Sequence, residues 1–360
     1  MSHEIQNWLE LAVEKKASDI FIGAGRSIAF KIDGVITQQS DCYLTPELSK
    51  KMICELFALA NRSIEKFQSC GDDDFPVTIP NVARFRVSVY NQRGTYAAII
   101  RVVVFSLPDY RDLQVPDEVM KIAHEKNGLV LVTGPAGSGK TTTLACIIDA
   151  INKTRNCHII TIEDPIEYLH RDDKSVLSQR EISTDTVSYL TALRACLRQA
   201  PDIVLLGEMR DYETIMTAMT AAETGHLIIS TLHTVGAVNT IDRIVDVFPP
   251  GQQQQVRIQL SMLLKTVVSQ QLLPKKDTGT LTPAFEIMYV NSAIKNLIRE
   301  SKTHQIENVI QTSSAEGMIG MDAYIMTLVK KGDITQETAI IHASNPEQMK
   351  RQLENSSIRI

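Results

Sequence analysis

The sequence predicts an α/β protein in two parts: a smaller α+β domain, then a parallel, doubly wound domain that ends in short helices. Three observations carry this. At 360 residues the chain is longer than one core usually fills. From residue 127 onward, short apolar, β-branched runs (GLVLVTG, HIITIED, DIVLLGE, HLIISTL) alternate with helical stretches, as strands buried on both faces do. The first of these runs leads straight into Gly134-Pro135-Ala136-Gly137-Ser138-Gly139-Lys140-Thr141. That stretch fits G-x-x-x-x-G-K-[ST] in full and in its required strand–loop–helix setting.

The elements follow in order. Ile5, Trp8, Leu9 and Ala12 fall on one face of an N-terminal amphipathic helix. SDIFIGAG and SIAFKIDGVI read as strands, with Asp33-Gly34 as a hairpin turn. TPELSKKMICELFALA is a helix capped by Thr45 with Pro46 at its first position. ARFRVSVYNQRGTYAAIIRVVV supplies two long strands about a turn at Arg93-Gly94, and the proline-bearing FSLPDYRDLQVPDEVMK reads as a linker. GQQQQV opens an amphipathic helix whose apolar side is Val256, Leu260, Leu263, Leu264 and Val267. The expected domains are therefore 1–104, a linker at 105–120, a nucleotide domain at 121–290 and a helical region at 291–360.

Bulk properties exclude several classes. A net charge of -5 and a pI near 5.9 offer no broad attraction to nucleic acid, so no nucleic-acid partner is expected. No apolar stretch approaches the roughly 20 residues of a membrane span, and the N-terminal helix does not read as a signal peptide. The expected location is the cytoplasm. Six cysteines without a C-x-x-C pair indicate neither a zinc module nor a disulfide scaffold, and packing is their expected role.

Chemistry gathers at the strand ends. In the glycine-rich loop, residues Gly134 to Gly139 let backbone N–H groups turn toward phosphate oxygens, Lys140 adds a positive charge, and Thr141 with Thr142 opens the helix with hydroxyls, Thr141 suited to Mg²⁺. TIEDPIEYLH places Glu163, Asp164 and Glu167 past the second strand of this domain, and DIVLLGEMRD places Glu208 past the third. The carboxyl ends of a doubly wound sheet are where its ligand sits, and acids there hold metal waters or orient an attacking water. HLIISTLHT ends the fourth strand with Thr231, His233 and Thr234, small donors suited to sensing a γ-phosphate.

These motifs resemble those of the secretion-superfamily hexameric ATPases, and most closely the PilT-like pilus-retraction branch. The likeness runs over nearly the whole chain: the loop at 134–141 as Walker A, TIEDPIEYLH as the acidic box, IVLLGEMRD as Walker B and STLHT as the His box. FPPGQQQQVRIQLSMLLKTVVSQQLLP is similar to the family's next segment. AIKNLIRE at 293–300 resembles the branch's AIRNLIRE, with Lys295 in place of an arginine. The resemblance implies a PAS-like first domain, a RecA-like second domain and a homohexamer with nucleotide between subunits. It implies ATP and Mg²⁺, with Thr141 on the metal and Glu163 and Glu208 acting on it through water. Glu208 would be the catalytic Walker B glutamate. Gly207 stands where many P-loop proteins carry a Walker B aspartate.

A ring motor also needs a cation delivered across the subunit boundary. Arg84, Arg86, Arg93, Arg101, Arg194 and Arg198 are the pool, and Arg86 and Arg101 match arginines in the family's corresponding strands. By the same resemblance the partners are an inner-membrane pilus platform protein, the pilus machinery and a second retraction ATPase, with the motor peripheral at the cytoplasmic face. Two rivals stay open: a pilus-extension or type II secretion ATPase, and a weakly active ATP-binding ring subunit. The absence of a four-cysteine module speaks against the first, and intact Lys140, Thr141, Glu208 and His233 against the second.

Overall fold

A computed structural model describes residues 4–32, 34–80, 82–103, 107–276 and 280–357. They form two units, Met1–Leu107 with Glu167–Leu169, and Pro108–Ile166 with His170–Ile360. The first contains α1 (Glu4–Glu14), β1 (Asp19–Gly23), β2 (Ala29–Ile32), β3 (Val35–Gln38), α2 (Pro46–Leu59), α3 (Glu65–Cys70), β4 (Asp72–Ile79), β5 (Ala83–Gln92) and β6 (Thr95–Val103). Its antiparallel sheet runs β3-β2-β1-β6-β5-β4.

Each feature has a local cause. Ile5, Leu9 and Ala12 of α1 are fully buried on one face, with Phe30, Ile53 and Phe85 in the same core. Thr45 accepts from the Leu48 N–H at 3.2 Å and caps α2. Arg93 and Gly94 both take positive φ, +51° and +76°, the turn that matches strand twist. At the other expected turn Gly34 has φ +81°, while Asp33 lies outside the described residues. Helix α3 and strand β4 have no signal in the sequence: α3 is six residues long, and Pro76 interrupts β4, which sits at the sheet edge where proline is tolerated.

The second unit contains α4 (Asp117–Met120), β7 (Gly128–Thr133), α5 (Lys140–Thr154), β8 (His158–Glu163), β9 (Val176–Glu181), α6 (Tyr189–Cys196), β10 (Ile203–Leu206), α7 (Tyr212–Glu223), β11 (Leu227–Leu232), α8 (Ala237–Asp246), α9 (Pro250–Leu263), β12 (Leu264–Pro274) and β13 (Leu281–Tyr289). Helices α10 (Ser292–Arg299), α11 (Ile306–Thr312), α12 (Met321–Lys331), α13 (Gln336–His342) and α14 (Pro346–Ser357) follow. The sheet order is β13-β12-β7-β11-β10-β8-β9, parallel throughout except for β13. Leu129 and Leu131 of β7 face the core under α6 to α10, while Val130 and Val132 face the core under α4 and α5. This period of two explains the unbroken apolar runs: both faces are covered. The two-part α/β class, PAS-like and then RecA-like, holds.

Three expectations are corrected. The helix after GQQQQV stops at Leu263, and Leu264 and Val267 belong to β12, because the chain there pairs beside β7 and buries both residues fully. In the AIKNLIRE stretch Ala293, Ile294, Leu297 and Ile298 recur at the spacing of one apolar helix face; Ile294 and Ile298 are buried, yet Ala293 is exposed, so the stripe is narrower than that spacing suggests. Cys42, Cys54 and Cys70 are exposed thiols and not packing residues; Cys146 and Cys196 are buried, which pushes each thiol up to about 11. No helix among the described residues is long and apolar enough to cross a membrane.

Candidate active site

Four neighbouring parallel strands bring the predicted motifs to one edge. In the order β7-β11-β10-β8, Thr133 is level with Leu232, and Ser230, Leu206 and Ile162 share a rung. The glycine-rich loop, His233, Glu208 and Glu163 therefore leave the sheet side by side at its carboxyl end, the ligand edge of such sheets.

The loop is shaped by its glycines. Gly134 (φ +141°) has no room for a side chain, because a Cβ there would overlap the carbonyl oxygen of Gln270. Gly139 (φ +87°) starts α5, and a Cβ on it would stand 2.8 Å from Gln270 Nε2. Pro135, Ala136 and Gly137 form the exposed tip. Lys140, only 9% exposed, donates from Nζ to the carbonyls of Gly134 (2.8 Å) and Pro135 (2.9 Å). Burial lowers its pKa, and the nearby negative charge of Glu208 opposes that shift. The Ser138 hydroxyl is buried without a hydrogen-bond partner. A buried polar atom without a partner is costly, and here it lies in a loop that a side chain would fill. These features fit a bound polyphosphate. Thr141 and Thr142 occupy the first turn of α5.

The acids differ in setting. Glu163 is 8% exposed, and its Oε1 accepts from Thr161 Oγ1 at 2.6 Å and Gln179 Nε2 at 3.3 Å. Asp164 is exposed, and the Asp164–Pro165 peptide is cis. Glu167 groups with the first unit. Glu208 is gripped from both sides: Arg210 Nε lies 2.7 Å from its Oε2 and His233 Nε2 3.2 Å from its Oε1. The carboxylate bond keeps the Arg210 guanidinium charged, raising its pKa. Thr231 and Thr234 are not available as sensors. Thr231 donates to the Gly207 carbonyl at 2.6 Å, and Thr234 is bonded to Thr240 at 2.8 Å.

Gly207 now has a reason. A Cβ there would stand 2.9 Å from the Tyr189 hydroxyl and 3.1 Å from the Ile162 carbonyl oxygen, so the aspartate seen in many such motifs does not fit. Tyr189 is half-buried; burial, then the negative charges of Asp164 and Glu208, raises its pKa. Sequence reasoning missed both Tyr189 and Arg210. Arg210 was open to discovery, since it follows Glu208 by two residues; Tyr189 was not, because it arrives from α6. The arginine pool splits. Arg86 and Arg101 face each other across β5 and β6 in the first unit, and Arg101 Nε pairs with the buried Asp19 at 3.1 Å. Arg194 pairs with Glu213 at 3.3 Å, and Arg198 donates to the Arg194 carbonyl. Among the described residues no cluster of three or more His, Cys, Asp or Glu side chains suits a metal ion.

Comparison with known proteins agrees with this geometry. Residues 1–357 match the family described as Type II/IV secretion system protein. The chain is 46% identical over 306 residues to a twitching motility protein of Neisseria gonorrhoeae, covering 84% of this chain and 82% of that protein. It is 42% identical over 345 residues to the type IV pilus retraction ATPase PilT of Pseudomonas aeruginosa, covering 96% and 99%. A crystal structure of the pilus retraction motor PilT with bound ADP superposes with a TM-score of 0.89 at 44% identity, over 98% of this chain and 100% of that one. A phosphate loop, an acid held between an arginine and a histidine and a likeness that runs end to end lead to one conclusion: the chain belongs to the Type II/IV secretion system protein family.

Proposed function

We propose that this protein is a motor ATPase that drives type IV pilus retraction. The observation that carries the reading is the 42% identity to the retraction ATPase PilT over 99% of that protein's length. The AIKNLIRE segment supports it, forming a defined amphipathic helix, α10, on the ATP-domain core. The motor works as a homohexamer at the cytoplasmic face of the inner membrane. It reaches the membrane through a platform protein of the pilus machinery, and a second retraction ATPase works beside it.

The residues divide the labour. Backbone N–H groups of Ala136 to Gly139 and the Ser138 hydroxyl receive the phosphates of ATP, and Lys140 turns its ammonium from the loop carbonyls to them. The Thr141 hydroxyl and the waters held by Glu163 and Glu208 are hard oxygen donors of the kind Mg²⁺ takes. When bound, Mg²⁺ neutralises phosphate charge. Glu208, fixed by Arg210 and His233, accepts a hydrogen bond from the attacking water and aims it at the γ-phosphorus. Arg86 and Arg101 supply cations to a neighbouring subunit's transition state.

A gene deletion scored for surface pili tests this reading. Retraction predicts piled-up surface pili with no twitching. Bald cells would overturn it in favour of extension.

A further inference from the structure

Gln270 is a buried polar residue that the scheme above leaves unused. It lies on β12, which pairs in parallel with β7 up to Ser269 opposite Thr133, the last strand residue before the loop. One step further, Gln270 stands behind the loop and is 3% exposed. It meets the loop at three places. Its carbonyl oxygen occupies the space a Cβ on Gly134 would need, and its Nε2 stands 2.8 Å from where a Cβ on Gly139 would be. Its Oε1 accepts a 2.7 Å hydrogen bond from Thr143 Oγ1, a hydroxyl on the first turn of α5 that is itself buried. The first glycine, the last glycine and the helix that continues the loop are thus referenced to one side chain and its own carbonyl.

The neighbouring residues of β12 tie the same strand to two further segments. Ser269 Oγ accepts from the Gly236 N–H at 2.9 Å, three residues past His233. Gln271 donates to the His342 carbonyl of α13 at 3.4 Å. Packing alone would be met by any side chain of this volume. A side chain whose acceptor bonds the helix, while its donor end lies against the last loop glycine, does more: it sets the loop's curvature and the start of α5 relative to each other.

We infer that Gln270 is a positioning residue for nucleotide, holding the phosphate loop from behind through its bond to Thr143. This rests on the reading of that loop as an ATP site. Fluorescent ADP binding to the full-length protein tests it, with thermal melting of the nucleotide-free protein measured alongside. Gln270→Met keeps the volume and loses the hydrogen bonds, and Thr143→Val removes the same bond from the helix side. Each is expected to weaken ADP binding by about tenfold, the scale of one well-placed hydrogen bond, and to raise KM for ATP more than it lowers kcat. Thr143→Ser keeps the hydroxyl and should bind as the unaltered protein does. Gln270→Glu keeps the acceptor and adds a negative charge behind the phosphates. Its loss of affinity should exceed that of Gln270→Met and change little with salt, because a charge at this buried position is poorly screened.

Binding within twofold of the unaltered protein for both Gln270→Met and Thr143→Val overturns the inference. So does equal weakening by Thr143→Val and Thr143→Ser. If Gln270→Met does not fold, the Thr143 pair decides the question at the same bond; a Thr143→Val protein that unfolds makes the bond structural and overturns the inference as well. Failure of the unaltered protein to bind the probe would instead remove the ATP-site reading.

Discussion

Glu208, the proposed water-orienting acid, has a partner on each of its carboxylate oxygens. Arg210 binds one oxygen and His233 the other, which restricts rotation of the carboxylate. Glu208→Gln should keep shape and ADP binding while turnover falls by about 10²–10⁴, the usual worth of a positioned acid–base group. Phosphate release near the unaltered rate would remove Glu208 from the mechanism. Lys140→Ala should behave differently and weaken nucleotide binding itself, because that charge acts on ground-state phosphates too. A second residue answers to pH. Burial lowers the pKa of His170, so near its ordinary value of about 6.5 the unfolded chain takes up a proton that the folded chain refuses. The folded protein therefore loses stability as pH falls below that value. The drop in melting temperature between about pH 7.5 and about pH 5.5 should be smaller in His170→Gln, and an identical drop in both proteins would count against the assignment.

Two elements set what the site can hold. Gly207 directly follows strand β10, where α6 brings the Tyr189 hydroxyl against it. Gly207→Ala should cost about 1–3 kcal/mol, the range for overpacking. Adding Tyr189→Phe should recover part of that, since the Ile162 carbonyl remains in the way; chemical denaturation of the single and double variants would reveal no recovery if the phenol is not the obstacle. Helix α10 presents the opposite case. Ile294 and Ile298 anchor it in the ATP-domain core, each contributing about 1.5–3 kcal/mol. Lys295 and Arg299 do not share that burial. Lys295→Ala with Arg299→Ala should leave folding and basal phosphate release near normal and abolish twitching. Cells that still twitch would reduce the motif to ordinary packing.

At the scale of the whole molecule, each of the two units has its own core, and the proposed ring would join copies of both. Arg86 and Arg101 sit opposite each other on the first unit's sheet, so like charges face across a rung with Asp19 relieving one of them. If either arginine serves the next subunit's nucleotide, its alanine variant alone should lose about 10³–10⁵ in rate. Mixing it with Glu208→Gln subunits should then restore activity where both intact groups meet. Mixed rings confirmed by mass and still inactive at every ratio would sink the trans role.

The sequence by itself determined the strand ends and what stands on them. A phosphate loop is written locally: glycines at fixed offsets, a lysine and a helix that begins at once. The four β-branched runs likewise announce strands covered on both faces, so Glu163, Glu208 and His233 could be placed at one edge before any coordinates. The register between strands then brought them side by side, as parallel pairing requires. What came only with the tertiary structure depends on residues far apart in the chain. Tyr189 meets Gly207 from α6, Gln270 meets the loop from β12, and Leu264 leaves the helical pattern for a strand because β7 is there to pair with it. Thr231 and Thr234 looked like phosphate sensors because sequence shows a hydroxyl and not its partner; Gly207 and Thr240 had already taken them. Local spacing fixes which groups reach an edge, but a hydrogen bond needs a donor and an acceptor within about 3 Å, and that proximity exists only once the chain has packed.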